Sequence, residues 1–182
     1  MPGTNPTSGG SHLDALLRPA LREFALDVWG RNWLSKERDC VNRFAHRHLA
    51  ARIRSGTVFY DLAQMRIEGG VPQPPGVGTK PGLYKDLVIW ADPDATCFED
   101  KRGDGRWVPR HTPLAVVEWK AELRGRARPR LCAHDLAWLG AAARHWPGFV
   151  GYAVLLHRDV LMAARCEKDT VDLEWLRQPR AS

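Results

Sequence analysis

The stretch Ala115-Val-Val-Glu118-Trp-Lys120 decides the fold prediction, because it has the apolar and aromatic residues of a buried β-strand and yet contains two charges. Successive side chains of a strand alternate between its two faces. Glu118 and Lys120 are therefore expected on one face, with Val117 and Trp119 on the other. Burial of such a pair has a desolvation cost that pairing offsets only in part. We therefore interpret Glu118 and Lys120 as candidate site residues.

Outward from this strand, hydrophobic spacing predicts alternating helices and strands. Helices are expected from Leu13 to about Trp29, from Ser35 to about Ile53 and from about Leu131 to Trp146, with a last helical turn at 173–177; strands are expected at 57–67, 86–91, 114–121, 149–157 and 161–165, with a hairpin within 99–111. The run 69–82 is rich in Gly and Pro and predicts no regular structure. This order predicts an α/β (α+β) fold with a mixed central sheet flanked by helices. Residues 1–12 are expected to form a flexible tail and residues 13–182 a single domain.

Composition narrows the class of partner and the compartment. The 182 residues include 27 Lys and Arg against 21 Asp and Glu, with a net charge of +6 and a pI of about 9.5. Such a chain suits polyanionic partners. The four cysteines lack zinc-ligand spacing and are predicted to be reduced thiols. Because the chain shows no signal-peptide character and no apolar run of ~18 residues, we expect a cytoplasmic protein that does not span a membrane.

Asp86 is predicted to supply a second carboxylate to the site. We expect it to open the strand 86–91 and expect this strand to pair antiparallel with the strand at 114–121. The start of one antiparallel strand lies beside the end of the other, so Asp86 is expected near Glu118. Two carboxylates and the main-chain carbonyl of Trp119 would form a hard oxygen site for Mg²⁺ or Mn²⁺. Lys120 could then hold or acidify a water, or neutralise charge that develops on a phosphate.

These residues resemble the PD-(D/E)xK nuclease superfamily, whose pattern is an acidic residue that opens one strand and Glu/Asp-x-Lys in the next. Asp86 and Glu118-Trp119-Lys120 match that pattern, and the resemblance covers about residues 35–157. Lys85 stands where the family has Pro, and the literal Pro93-Asp94 is expected at the wrong end of its strand, so Asp86 is the matching aspartate. The resemblance implies a restriction-endonuclease-like fold and Mg²⁺- or Mn²⁺-dependent hydrolysis of phosphodiester bonds in nucleic acid, DNA rather than RNA.

Two further parts of the site remain open. Members of this family often add a Glu from the helix before the sheet; Glu37 matches that position, although an acid at a helix N-terminus also stabilises the helix dipole. The loop residues Arg124, Arg126, Arg128 and Arg130 either contact phosphates or are only solvated. Gln64, Glu68 and Glu122 are weaker site candidates.

Three functional classes follow from this pattern. The leading expectation is a nuclease. The alternative is a catalytically inactive module of the same fold that binds nucleic acid or assembles with a partner protein or a second copy. A small-molecule hydrolase that uses the same carboxylates is a more distant third.

Overall fold

A six-stranded mixed sheet with helices on both faces organises the chain, in the strand order β1-β2-β5-β6-β7-β8. The computed structural model describes residues 9–33, 35–78, 82–96, 98–100, 107–122, 130–158, 160–168 and 170–177. The helices are α1 (Gly9–Gly30), α2 (Glu37–Arg43) and α3 (Ala133–His145). The strands are β1 (Met65–Pro72), β2 (Gly82–Ile89), β3 (Phe98–Asp100), β4 (Trp107–Pro109), β5 (Ala115–Glu122), β6 (Val150–His157), β7 (Val160–Glu167) and β8 (Thr170–Arg177).

Strand pairing around β5 agrees with the expected topology. β2 pairs with β5 in the antiparallel direction, and β5 pairs with β6 in the parallel direction over eight residue pairs. Parallel neighbours need a crossover connection, which α3 provides between β5 and β6. β3 and β4 form a separate two-stranded sheet within the chain that links β2 to β5. The mixed α+β architecture is therefore confirmed.

Each face of the sheet has its own apolar core. On one face, α1 and the helical segment that begins with α2 pack over Val117, Trp119 and their neighbours. Trp119 is fully buried there, with its ring centroid 5.1 Å from that of Phe24 and 5.3 Å from that of Phe44. On the other face, α3 packs over Val116 and adjacent residues. The alternation expected along β5 is thus realised.

The helices before the sheet differ in detail from the prediction. α1 begins at Gly9, within the segment expected to be a tail, and continues through Pro19. The second helical segment has Lys36 rather than Ser35 as its N-cap. It runs from α2 into a π-helical turn at Phe44–Leu49 and a 3₁₀ turn at Ala50–Arg52, so its extent agrees with the predicted helix.

The strand predicted at 57–67 is wrong over most of its length. β1 begins only at Met65 and continues through Gly69 and Gly70, which were expected to be irregular. A Cβ atom at Gly69 would lie 2.8 Å from the Val88 side chain, so this strand pairing requires a glycine. Gln64 is fully buried and is a structural residue, because its side-chain amide bonds the backbone of 58, 60, 61, 90 and 91.

The prediction for the C-terminal end of the described chain was also wrong. The segment expected to form a helical turn at 173–177 is the end of β8, which pairs with β7 along its whole length. Val171 and Leu173 alternate with polar Asp172 and Glu174 there, and pairing with a neighbouring strand selects this period of two over the helical one. The strand predicted at 161–165 is correct in type and is longer, as β7.

Candidate active site

Asp86 joins β2 to β5 through its side chain. It was expected to be the first residue of its strand, but it is the fifth residue of β2. The backbone pairing between these strands ends at Leu87 and Val117. Beyond that point, the Asp86 carboxylate accepts a hydrogen bond from the Trp119 main-chain N–H at 2.7 Å. The strands therefore separate at the site, and the carboxylate takes the place of a main-chain acceptor.

A local switch in side-chain direction occurs beside Asp86. The β1–β2 ladder pairs Ile67 with Leu87 and Gly69 with Lys85 but omits the pair between them, Glu68 and Asp86. Glu68 has a φ of 53°, in the left-handed region that non-glycine residues rarely occupy. Apolar residues before and after this point pack on opposite faces of the sheet: Ile67 and Leu87 on the α1 face, Val71 and Leu83 on the α3 face. Lys85 consequently lies on the α3 face.

Lys85 forms a buried ion pair with Glu118. The Lys85 Nζ contacts Glu118 Oε1, and the two side chains are only 5% and 8% exposed. The same ammonium lies 4.1 Å from the centre of a Trp138 ring. Burial raises the pKa of Glu118, Lys85 opposes that shift, and the neighbouring Asp86 carboxylate adds to it, with a net pKa of about 7. Glu118 is therefore an incompletely compensated carboxylate.

Lys120 lies at the more open side of the site. Its ammonium donates to the Trp119 carbonyl at 2.7 Å and lies 3.4 Å from Glu37 Oε1 and 4.0 Å from Asp135 Oδ2. Burial tends to lower the pKa of Lys120, but Glu37, Asp86 and Asp135 outweigh it and raise the pKa above its usual value. Lys120 is thus a persistent cation and hydrogen-bond donor rather than a general base.

A small cleft gives access to this region from the β1 side. It has a volume of about 90 Å³. Asp86 lines the cleft together with apolar Val41 and Ile67. Its other lining residues are the charged Glu37, Arg38 and Glu68, and Arg38 Nε lies 3.7 Å from Glu68 Oε1. Asp86 and Glu37 therefore face a common opening.

The oxygen donors partly fit a divalent cation. Asp86, Glu118 and the Trp119 carbonyl are hard oxygen ligands of the kind Mg²⁺ and Mn²⁺ prefer, and the Asp86 carboxylate bonds the main-chain N–H of Trp119, the residue next to Glu118. Across the described parts of the chain, no three His, Cys, Asp or Glu side chains are grouped so that they could hold a metal ion. Glu37 lines the same cleft as Asp86 and lies 3.4 Å from the Lys120 ammonium, and its role as a third acidic ligand stays a prediction.

The structure brings most of the predicted site residues to one place. Asp86 and Lys120 both bond the main chain of Trp119 where β2 and β5 separate, Glu118 directly precedes Trp119, and Glu37 borders the group through Lys120. Arg124, Arg126 and Arg128 lie outside the described residues, and Arg130 is exposed just before α3. Glu122 is exposed beyond the end of the cluster.

Lys85 is the site residue that sequence reasoning missed. Regular alternation along β2 predicts that Lys85 lies on the same face of the sheet as Leu87 and Val117, which is not the face of Glu118. The feature of the sequence that could have identified Lys85 as a site residue is its position next to Asp86.

Comparisons with known proteins add no family assignment. No protein-family model, curated protein or solved structure matches the chain. Among the described helices, none is both long enough and apolar enough to cross a membrane.

Proposed function

We propose that this protein is a metal-dependent nuclease that hydrolyses phosphodiester bonds in nucleic acid, with DNA favoured over RNA. The observation that supports it best is that the Asp86 carboxylate and the Lys120 ammonium both bond the main chain of Trp119, next to Glu118, at the separated ends of β2 and β5. Clustered ionisable groups with shifted pKa values are more frequent at functional sites than elsewhere. The proposal includes a restriction-endonuclease-like fold, which the element order α2, β1, β2, β5, α3, β6 supports.

Each residue has a distinct role in this proposal. Asp86, Glu118 and the Trp119 carbonyl would hold Mg²⁺ or Mn²⁺, which when bound polarises a phosphoryl oxygen and activates a water. Lys120 donates to the phosphate as negative charge develops. Glu37 would position the Lys120 ammonium, and its role as a third metal ligand stays a prediction. Arg130 and the arginines that precede it would contact flanking phosphates.

A cleavage panel tests the proposal. Plasmid, single-stranded DNA and RNA are incubated with Mg²⁺, Mn²⁺ or EDTA, and we expect metal-dependent cleavage of DNA. Glu118→Gln preserves the shape of the site but removes the charge and should abolish cleavage. Glu122→Gln is the matched control, because Glu122 is exposed on the same strand. Equal activity of the two variants, or cleavage in EDTA, would overturn the proposal.

A second candidate is a non-catalytic module of the same fold that binds nucleic acid. The specific observation in its favour is the buried Lys85–Glu118 pair, in which an internal ammonium already contacts one candidate ligand. This candidate predicts no cleavage with any metal and salt-sensitive binding to nucleic acid. The same panel, combined with binding isotherms at several salt concentrations, separates the two candidates.

A further inference from the structure

Lys85 is a buried lysine whose position needs an explanation. Its ammonium contacts Glu118 and lies against Trp138, and its side chain is 5% exposed. Stability alone is a poor reason for such a pair, because apolar residues of similar volume usually stabilise a fold as well or better. The strained backbone of Glu68 in β1 lies across from Asp86 in β2. At this point β2 changes the direction of its side chains, so that Lys85 lies on the same face as Glu118. The contact between the Lys85 ammonium and the Glu118 carboxylate therefore comes with two unfavourable features, the burial of a charge pair and the strained backbone of Glu68.

The two lysines of the site, Lys120 and Lys85, differ in the groups that they contact. Lys120 is 42% exposed and contacts the Trp119 carbonyl, with Glu37 and Asp135 nearby. It therefore keeps carboxylate partners even if it leaves the carbonyl. Lys85 pairs with the Glu118 carboxylate and has the Trp138 ring as a second favourable contact. An aromatic face attracts an ammonium without neutralising it, so Trp138 offers Lys85 a position that leaves Glu118 available.

We infer that Lys85 is a built-in competitor for divalent cations, which neutralises Glu118 and thereby sets the cation affinity of the Asp86–Glu118 site. A divalent ion that uses Glu118 must displace the Lys85 ammonium, which stays against Trp138. The inference deepens the proposed function and rests on it for the location of the ion. It assigns to Lys85 a role in selectivity, because an ion with weak charge density does not compete with an ammonium for a buried carboxylate.

The test measures cation binding, without a nucleic-acid substrate. Mn²⁺ alone is titrated into the wild-type chain and the variants Lys85→Met and Lys85→Gln, and free Mn²⁺ is counted by electron paramagnetic resonance. Removal of the competing charge should tighten Mn²⁺ binding about tenfold or more. Lys168→Met is the control, since it makes the same change in net charge at an exposed turn between β7 and β8. Its Mn²⁺ affinity should equal that of the wild type.

Each outcome bears on the inference separately from the proposed function. Tighter binding in both Lys85 variants, lost again when Glu118→Gln is added, supports the competitor role even if no substrate is cleaved. Equal Mn²⁺ affinity in the wild type and the Lys85 variants, or no binding in any of them, overturns it. Lys85→Gln retains a polar group for Glu118 and provides the measurement if Lys85→Met does not fold. Metal-dependent cleavage with unchanged affinity would overturn the inference alone.

Discussion

Two carboxylates of this molecule, Asp27 on α1 and Glu118 on β5, occupy opposite electrostatic surroundings. Asp27 lies within 2.6 Å of Arg31, 2.8 Å of Arg43, 3.3 Å of His48 and 3.6 Å of Arg47. Burial alone would raise the pKa of Asp27, but hydrogen bonds from Arg31 and Arg43 lower it to about 2. Burial raises the pKa of Glu118 to about 7 despite its lysine partner.

The difference separates a structural cluster from a candidate active site. Several cations surround Asp27 and connect α1 to the helical segment after it. The negative charge of Asp27 is therefore compensated by ion pairs within the fold. Among the described residues, Glu118 has one buried cation as a partner, Lys85, and the nearby Asp86 carboxylate disfavours its ionisation. A further positive charge would stabilise the second arrangement and has little to add to the first. The four predictions below test this contrast.

The largest expected effect is on catalysis. Under the proposed function, Asp86→Asn and Glu118→Gln should each lower the rate of metal-dependent cleavage about a thousandfold or more, equivalent to ~4 kcal/mol. Asp27→Asn should keep the wild-type rate at a temperature where it remains folded, because Asp27 belongs to the structural cluster. Initial rates on one plasmid substrate provide the comparison. A fully active Asp86→Asn variant would contradict the assignment.

Truncation of Glu118 should have the next largest effect, on stability. Glu118→Ala leaves the Lys85 ammonium buried without a carboxylate and should lower the free energy of unfolding by about 3–5 kcal/mol. The double variant Lys85→Met/Glu118→Gln removes both charges and should recover most of that loss. Urea denaturation at neutral pH measures both values. A double variant no more stable than Glu118→Ala would show that packing, and not charge, causes the loss.

The two carboxylates should respond to pH in opposite directions. The pKa of Asp27 is lowered from 3.8 to about 2, so its stabilising contribution is present above pH 4 and is lost as the pH falls toward 2. The effect should be roughly 1–2 kcal/mol, reduced by solvent screening.

The pKa of Glu118 is raised from 4.5 to about 7, so its contribution is present below pH 4.5 and is lost as the pH rises through 7. Unfolding free energies of the wild type, Asp27→Asn and Glu118→Gln are compared from pH 2 to pH 8. A pH profile that neither substitution changes would refute both assignments.

The smallest effect is expected at the rim of the Asp27 cluster. The Arg47 side chain is 53% exposed and its Nε lies 3.6 Å from Asp27, so Arg47→Ala should change the unfolding free energy by no more than about 0.5 kcal/mol. Arg43 is 19% exposed, bonds the same carboxylate with two nitrogens and lies over Trp33. Arg43→Ala should therefore cost more, about 1–3 kcal/mol. Equal losses would mean that burial does not determine these contributions.

Much of the candidate site could be predicted from local pattern. The alternation of β5 indicates that Glu118 and Lys120 share a side, and antiparallel pairing with β2 places Asp86 beside them. Both inferences depend on the two-residue period of a strand and on the direction of its neighbour. The same reasoning failed for Lys85. Both β1 and β2 change the direction of their side chains at Glu68 and Asp86, and this change depends on the left-handed backbone of Glu68, which the residue types there do not predict.

The sequence by itself determined the helix and strand order around β5, the division of apolar residues between two faces, and the carboxylate and lysine groups available for chemistry. These follow from short-range periodicity and from side-chain type. Only the tertiary structure decided that Gly69 and Gly70 lie in β1, that the last segment is β8, that Glu37 pairs with Lys120, and that Lys85 forms a buried ion pair with Glu118. Those outcomes depend on pairing between distant segments and on burial of specific charges, which a local pattern does not encode.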